Sequence, residues 1–375
     1  MGLPNIIFIS SGLNNGGAEL ALERLLKANI KKKAFRFVVF SLDAVGPVGE
    51  RIREMGIKVI ALNLRKHSPL LTLPRFFFEI IKLHPTQIHG WMYHGNLFAF
   101  LAWILQPKSQ LVFNIRQALH SLNQEKVTTR VAILLNALLS RVCDLVIHNS
   151  KLGIRHHEKV GFCPGNSLYI PNGFDLAKLS PSKAKRDSFR SRHKIPRQAR
   201  VITILARYDP IKGHDVYLEG AKILLQEKPE VIFLMAGEGL SPDHPKLSGL
   251  ISQIASNLIV LGHQDDISSI LNGSDILTVC SHSEGFPNAL GEAMSVGLVC
   301  VATEVGGCSQ ILGDCGRLAP PDEPASLAQC WLELLSIPES EFRKNGLKAR
   351  QRIKDCFSAD KFVDSYLRIF LARKS

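Results

Sequence analysis

A chain of 375 residues, 46% hydrophobic and 21% charged, is long enough for two hydrophobic cores and has the balance of folded globular protein, which excludes disordered and collagen-like classes. Its formal charge of +13 is unevenly spread: residues 1–200 hold 30 Lys and Arg against 11 Asp and Glu, whereas 201–375 hold 16 against 22. The longest apolar stretches, 95–105 and 131–139, are too short to span a bilayer, no cleavable leader pattern opens the chain, and the eight Cys form no Cys-x-x-Cys pair. The expectation is a cytoplasmic protein with reduced thiols and no zinc site.

In chain order, residues 6–9 read as a short strand, 10–17 as a polar Gly-rich loop, and 18–29 as a helix with Leu22, Leu25 and Leu26 on one side. Gly12, Gly16 and Gly17 do not spell Gly-x-Gly-x-x-Gly, so a nicotinamide or flavin site is poorly supported. Such a loop can still bring backbone N–H groups against a phosphate, the alternative being a plain tight turn. The basic clusters 31–33 and 65–67, beside apolar 70–73 and 76–78, suggest a peripheral contact with an anionic membrane. Nucleic acid is not expected, because no binding module is recognisable and the second half is acidic.

Three polar positions follow apolar runs in the first half: His94 after 88–93, Arg116 and Gln117 after the strand 111–115, and Asn149 after the strand 145–148. Polar groups at strand ends of open α/β sheets often meet ligands. The alternative for each is a structural hydrogen bond. The turn 171–175 and the polar, basic stretch 178–200 then mark a boundary, giving domains 1–180 and 181–357 and a last helical segment 358–375 with Phe362, Tyr366, Ile369 and Phe370 at helical spacing.

The second half opens with a strand at 201–206, followed by Arg207, a turn, Lys212 and a helical pattern over 215–226. Two cations at a strand end suit a pyrophosphate, Arg through its planar fork and Lys as a point charge. Further on, the apolar run 275–280 predicts a buried strand and Pro287 the first position of a helix ended by Gly297. The segment Glu284-Gly285-Phe286-Pro287-Asn288-Ala289-Leu290-Gly291-Glu292 thus sets two carboxylates eight positions apart across a strand-to-helix junction. If fully helical, eight residues rise about 12 Å, roughly the reach of a nucleoside diphosphate sugar, with the amides of 286–290 between. Another buried strand, 298–303, ends at Gly306 and Gly307.

These segments together resemble the retaining family 4 glycosyltransferases of the GT-B fold, whose hallmark is a Glu-Gly-Phe/Gly-Pro segment with a second Glu eight residues on. The resemblance implies an α/β protein of two Rossmann-like, doubly wound parallel-sheet domains facing a cleft, with the C-terminal helix crossing back to the N-terminal domain. It implies a hexosyl transfer from a UDP- or GDP-sugar, without an obligatory metal or other cofactor, in which Arg207 and Lys212 grip the diphosphate and Glu284 orients the sugar. Gly16, Gly17, Gly285, Phe286, Pro287, Asn288, Ala289, Leu290 and Glu292 would complete the donor site, with Glu292 on the ribose. His94, Arg116, Gln117 and Asn149 become candidates for the acceptor side.

The runs His94-Gly95-Asn96, Asn114-Ile115-Arg116 and Asn149-Ser150 look most like bacterial enzymes of lipopolysaccharide and capsule biosynthesis that act on a saccharide or polyprenyl-linked acceptor at the cytosolic face of the membrane. Gln310 departs from the family, where Glu is frequent. Two other readings stay open: a nucleotide-sugar epimerase of the same architecture, and a non-catalytic nucleotide-sugar-binding protein.

Overall fold

The computed structural model describes residues 3–30, 33–66, 68–117, 119, 122 and 125–372, leaving aside the side chains of 69–71. The chain forms two compact units, residues 1–173 with 359–375 and residues 174–358. The division falls earlier than position 180. Phe174 already belongs to the second unit, where it stacks on Phe286 with ring centroids 6.1 Å apart and its N–H donates to the Phe357 carbonyl at 2.9 Å.

Unit 1 alternates strand and helix: β1 (Asn5–Ser10), α1 (Gly17–Ile30), β2 (Arg36–Ser41), α2 (Gly46–Glu54), β3 (Lys58–Ala61), α3 (Pro69–Leu83), β4 (Gln87–Trp91) and α4 (Met92–Leu105). It continues with β5 (Gln110–Ile115), α5 (Val127–Leu139), β6 (Leu145–His148), α6 (Lys151–Lys159) and β7 (Ser167–Tyr169). The sheet is parallel throughout, in the order β3-β2-β1-β4-β5-β6-β7. A parallel sheet covered on both faces needs strands apolar on both sides, which is why 37–40 and 111–113 are unbroken hydrophobic runs.

Unit 2 holds α7 (Lys183–Arg192), β8 (Val201–Leu205), α8 (His214–Leu225), β9 (Ile232–Ala236), α9 (Ser248–Gln253), β10 (Leu258–Leu261) and α10 (Ile267–Gly273). Then come β11 (Ile276–Val279), α11 (Asn288–Val296), β12 (Val299–Thr303), α12 (Cys308–Leu312), β13 (Gly316–Ala319), α13 (Pro324–Ser336) and α14 (Glu339–Cys356). Its sheet has the doubly wound order β10-β9-β8-β11-β12-β13, also parallel. The order reverses at β8, next to β11, so the carboxyl ends of these two strands are the topological switch point where such sheets bind ligands.

The last helix, α15 (Ala359–Leu371), belongs to unit 1. Phe362, Val363, Tyr366, Ile369 and Phe370 are its buried face, packed with Phe8, Phe35 and Phe37. The Gln87 side-chain amide donates to the Ile369 carbonyl at 2.8 Å, satisfying part of the exposed C-terminus of the helix. Among the described residues all eight Cys are free thiols, four of them buried. Phe76, grouped above with a membrane-facing cluster, is instead core, edge-on to Phe40 at 5.4 Å. Lys31, Lys32 and His67 of those clusters lie outside the described residues.

Three histidines are sealed in unit 1. Burial pushes His89 and His148 down to about 3 and His157 to about 4, so each is neutral in the folded protein. Tyr93 Oη lies 2.7 Å from His157 Nε2, and the His148 and His157 rings are 5.2 Å apart. Their unfolded counterparts titrate near 6.5, so on acidification the unfolded chain binds protons first. The stability these neutral rings contribute is complete above pH 6.5 and is lost as pH falls towards 4, by up to about 1.4 kcal/mol per pH unit per histidine. Melting curves between pH 7 and 5 should show unit 1 losing stability; a transition that stays level across that range contradicts the assignment.

Candidate functional site

The site is built at the carboxyl ends of β8 and β11. After β8 the chain makes a short 3₁₀ turn at Pro210–Lys212, capped by the Asp209 carboxylate, which accepts from the Ile211 N–H at 3.2 Å. Gly213 follows with φ +65°, a conformation costly for other residues, and a Cβ there would run into the Cys280 carbonyl oxygen. That close approach lays the turn on the end of β11, with the His282 N–H donating to the Ile211 carbonyl at 2.8 Å.

The consequence is an ion pair. Lys212 Nζ donates to Glu284 Oε1 at 2.7 Å, and the Ser281 hydroxyl donates to the same oxygen, also at 2.7 Å. The two side chains are only 23% and 11% exposed, so the pair is largely shielded from solvent. Behind it, the Thr303 hydroxyl donates to the Ser281 carbonyl at 2.6 Å and ties the loop to β12. Gly306, with φ +55°, sits where a Cβ would overlap the Glu284 carbonyl oxygen, and the Gly307 N–H donates to the Gly285 carbonyl at 3.1 Å. The Gly-Gly pair after β12 therefore braces the Glu284–Gly285 backbone.

Arg207 is placed differently. Its side chain is 67% exposed and its guanidinium lies 3.1 Å from the Asp209 carboxylate, so it stands at the edge of the same turn facing water. Helix α11 begins at Asn288, one residue later than a helix with Pro287 at its first position: Pro287 is the N-cap, in extended conformation, and has no side-chain oxygen to cap the helix. The first amides, from Asn288 to Leu290, lie at the end that carries the positive pole of the helix. Only 288–292 of the Glu284–Glu292 interval is helical, so the separation of the two carboxylates is set by the loop as well as by helical rise. Gly297 ends the helix in the left-handed conformation, as its position suggested. Phe286 and Leu290 are buried against Phe174 and the core of unit 2, while Glu292 is partly exposed.

In unit 1 the polar strand ends turn mostly inward. Arg116 is buried; its guanidinium donates to Asn172 Oδ1 at 2.6 Å and to the Tyr366 hydroxyl, and lies 4.7 Å over the Trp91 ring. The Tyr366 hydroxyl in turn donates to Asn114 Oδ1 at 2.6 Å, so Arg116 and Asn114 hold α15 in place. Asn149 is buried and donates to the Arg116 carbonyl at 3.2 Å, while Ser150 caps α6 by accepting from the Gly153 N–H. Gln117 donates to Glu125 at 2.9 Å. His94, on the first turn of α4, is half-buried, and that burial lowers its pKa.

Its neighbour Met92 has φ +67°, a strained joint where β4 passes straight into α4. Gly16 and Gly17 lie at the start of α1, under the partly buried Glu19 carboxyl, whose pKa burial raises. Glu19 drew no attention in the sequence, where one acid in the first turn of a helix is ordinary.

Residues 199–336, which contain Arg207, Lys212, Glu284 and Glu292, match the family model of the glycosyl transferases group 1. Most of unit 2 is thus similar to that family. Sequence relatives include the UDP-Gal:alpha-D-GlcNAc-diphosphoundecaprenol alpha-1,3-galactosyltransferase of Escherichia coli, 32% identical over 141 residues, which are 37% of this chain and 36% of that protein. The N-acetyl-alpha-D-glucosaminyl L-malate synthase of Bacillus anthracis is 28% identical over 193 residues, 50% of this chain and 49% of the relative. The chain thus spans between a third and a half of the length of these two relatives.

The whole architecture is matched by the Anabaena protein HepE in complex with UDP, with a TM-score of 0.85 over 98% of this chain and 99% of that one, at 21% identity. Each unit of this chain therefore has the α/β, Rossmann-like fold of that protein. The family-matched segment coincides with the strands and loops that create the Lys212–Glu284 pair.

Proposed function

We propose that the chain is a retaining glycosyltransferase that moves a hexosyl group from a UDP- or GDP-sugar to a saccharide acceptor, lipid-linked, in the assembly of cell-surface polysaccharide. The observation that carries this reading is the Lys212–Glu284 pair at the switch point of unit 2, within the family-matched segment that also holds the start of α11.

In this reading Lys212, Arg207 and the α11 amides stabilise charge growing on the departing diphosphate. The bond from the anomeric carbon to the diphosphate oxygen breaks, and one to the acceptor oxygen forms on the same face. The acceptor proton passes to the departing phosphate. Glu284 orients the sugar ring and holds Lys212, and Glu292 accepts hydrogen bonds from the ribose diol. The step needs no resident metal, so transfer persists in a chelator.

The lipid-linked acceptor is supported by the Escherichia coli relative, whose name specifies one, and the UDP donor by the UDP and UDP-glucose complexes of HepE. The enzyme then works as a peripheral protein at the cytosolic face of a membrane. Among the described residues no helix is long and apolar enough to cross one.

Calorimetric titration with bare nucleotide and with intact donor tests the division of roles. Glu292→Ala should weaken both UDP or GDP and the full donor by about 1 to 3 kcal/mol, the cost of a lost charged acceptor. Glu284→Ala should leave bare-nucleotide affinity unchanged or slightly higher, because Lys212 is released, and should impair the intact donor. Equal effects on bare nucleotide defeat the assignment, and conversion of the donor with no acceptor present favours an epimerase.

A further inference from the structure

The outer face of α5 and its neighbours is unusually apolar for an exposed surface. Helices α3, α4 and α5 cover one face of the unit 1 sheet, α3 against α4 and α4 against α5. Helix α5 turns Ala132, Ile133, Asn136 and Ala137 inward. Its outward positions are just as apolar: Val127, Val131, Leu134, Leu135 and Leu138 recur at helical spacing and are 43% to 71% exposed. Ile104 and Leu105 on α4 and Phe78 and Ile81 on α3 extend the surface, and Phe78 is 65% exposed. Ten of the 17 exposed large hydrophobic residues among those described fall between Phe78 and Val142. Exposed apolar side chains concentrated on three adjacent helices in this way mark an interaction site.

The charges around it choose the occupant. Arg75, Lys82, Lys108, Lys126 and Arg141 are exposed on these helices and their flanks, and Arg130 is partly so. The acids nearby are engaged: Glu79 with Lys58 at 2.8 Å, and Glu125 with Gln117. Apolar side chains framed by cations match the boundary between acyl chains and anionic headgroups. Two copies meeting through this face would instead bring like-charged rims together. The geometry points to α3–α5 as a docking surface for an anionic membrane, with α5 lying in the interface plane, about 20 Å long. The inference rests on the lipid-linked acceptor reading for its purpose, but on the surface alone for its evidence.

Co-sedimentation with vesicles of phosphatidylcholine alone and of phosphatidylcholine with phosphatidylglycerol tests it. The protein should partition onto the anionic vesicles and be partly released by salt. Leu134→Asp with Leu138→Asp should lower partitioning by about 100-fold or more, since two leucines no longer leave water. Lys126→Gln with Arg141→Gln should lower it by roughly 30-fold at low salt and scarcely at high salt. These side chains are exposed, so circular dichroism and UDP affinity should match the parent.

The inference is overturned if the parent binds neutral and anionic vesicles alike, binds neither at low salt, or if the leucine pair can be replaced without effect. It is equally overturned if that replacement converts a dimer to a monomer in light scattering, which makes the face a contact between copies. Loss of sugar transfer in a parent protein that still binds vesicles sinks the proposed activity and leaves the docking surface standing.

Discussion

Lys212→Ala should lower sugar transfer by about 100-fold or more while weakening the bare nucleotide much less, because the ammonium acts on charge that appears as the diphosphate leaves. Arg207→Ala should fall in the same range. The two differ in what the substitution leaves behind. Arg207 is mostly exposed and paired at the surface with Asp209, so its loss removes a donor and little else. Lys212 is the partner of a carboxylate only 11% exposed, so its loss leaves Glu284 with the Ser281 hydroxyl alone. Lys212→Ala should therefore also disturb sugar orientation, seen as a larger effect on the intact donor than on UDP. Steady-state rates and titrations on both variants decide it, and parental turnover in both removes these cations from the mechanism.

Asp275→Ala should strongly destabilise unit 2. The carboxylate, 6% exposed, accepts from Arg190 at 2.6 Å, from Arg186 at 2.7 Å and from the Val201 N–H at 2.8 Å, joining α7 to β8 and the start of β11. Arg190 is equally buried, so removing its anion leaves a cation in a poorly solvated place with only carbonyl partners. Breaking a buried pair this way costs about 3 to 5 kcal/mol. Asp187, whose exposed carboxylate pairs with Lys183 on the same helix, is the control, and Asp187→Ala should barely move the transition. Urea unfolding of both variants separates the cases, and a cost below about 1 kcal/mol for Asp275→Ala refutes the buried-charge argument.

Much of the fold was legible in the residues. Apolar β-branched runs at 201–205, 276–279 and 299–303 read as strands because a parallel sheet covered on both faces tolerates little else, and Gly297 announced a helix end because the cap needs a left-handed residue. Such signals are local, carried within one or two turns of chain. The placing of Arg207 and Lys212 around one strand-end turn, and of Glu284 and Glu292 in a separate strand-to-helix segment, was legible too, through spacing.

What the tertiary structure decided was every pairing across distance. Lys212 and Glu284 are 72 positions apart, and the hydrogen bond between them depends on Gly213 letting one loop rest on another. Polar residues at strand ends look alike in sequence whether they face a ligand or a neighbour. Only the packed unit shows Arg116 spent on Asn172 and Tyr366, and Asn149 on a backbone carbonyl. The run 131–139 was visible as apolar and too short to span a bilayer. Which of its sides meets the core depends on where β5 and α4 lie, so composition and periodicity alone could not reveal that the larger side chains point out.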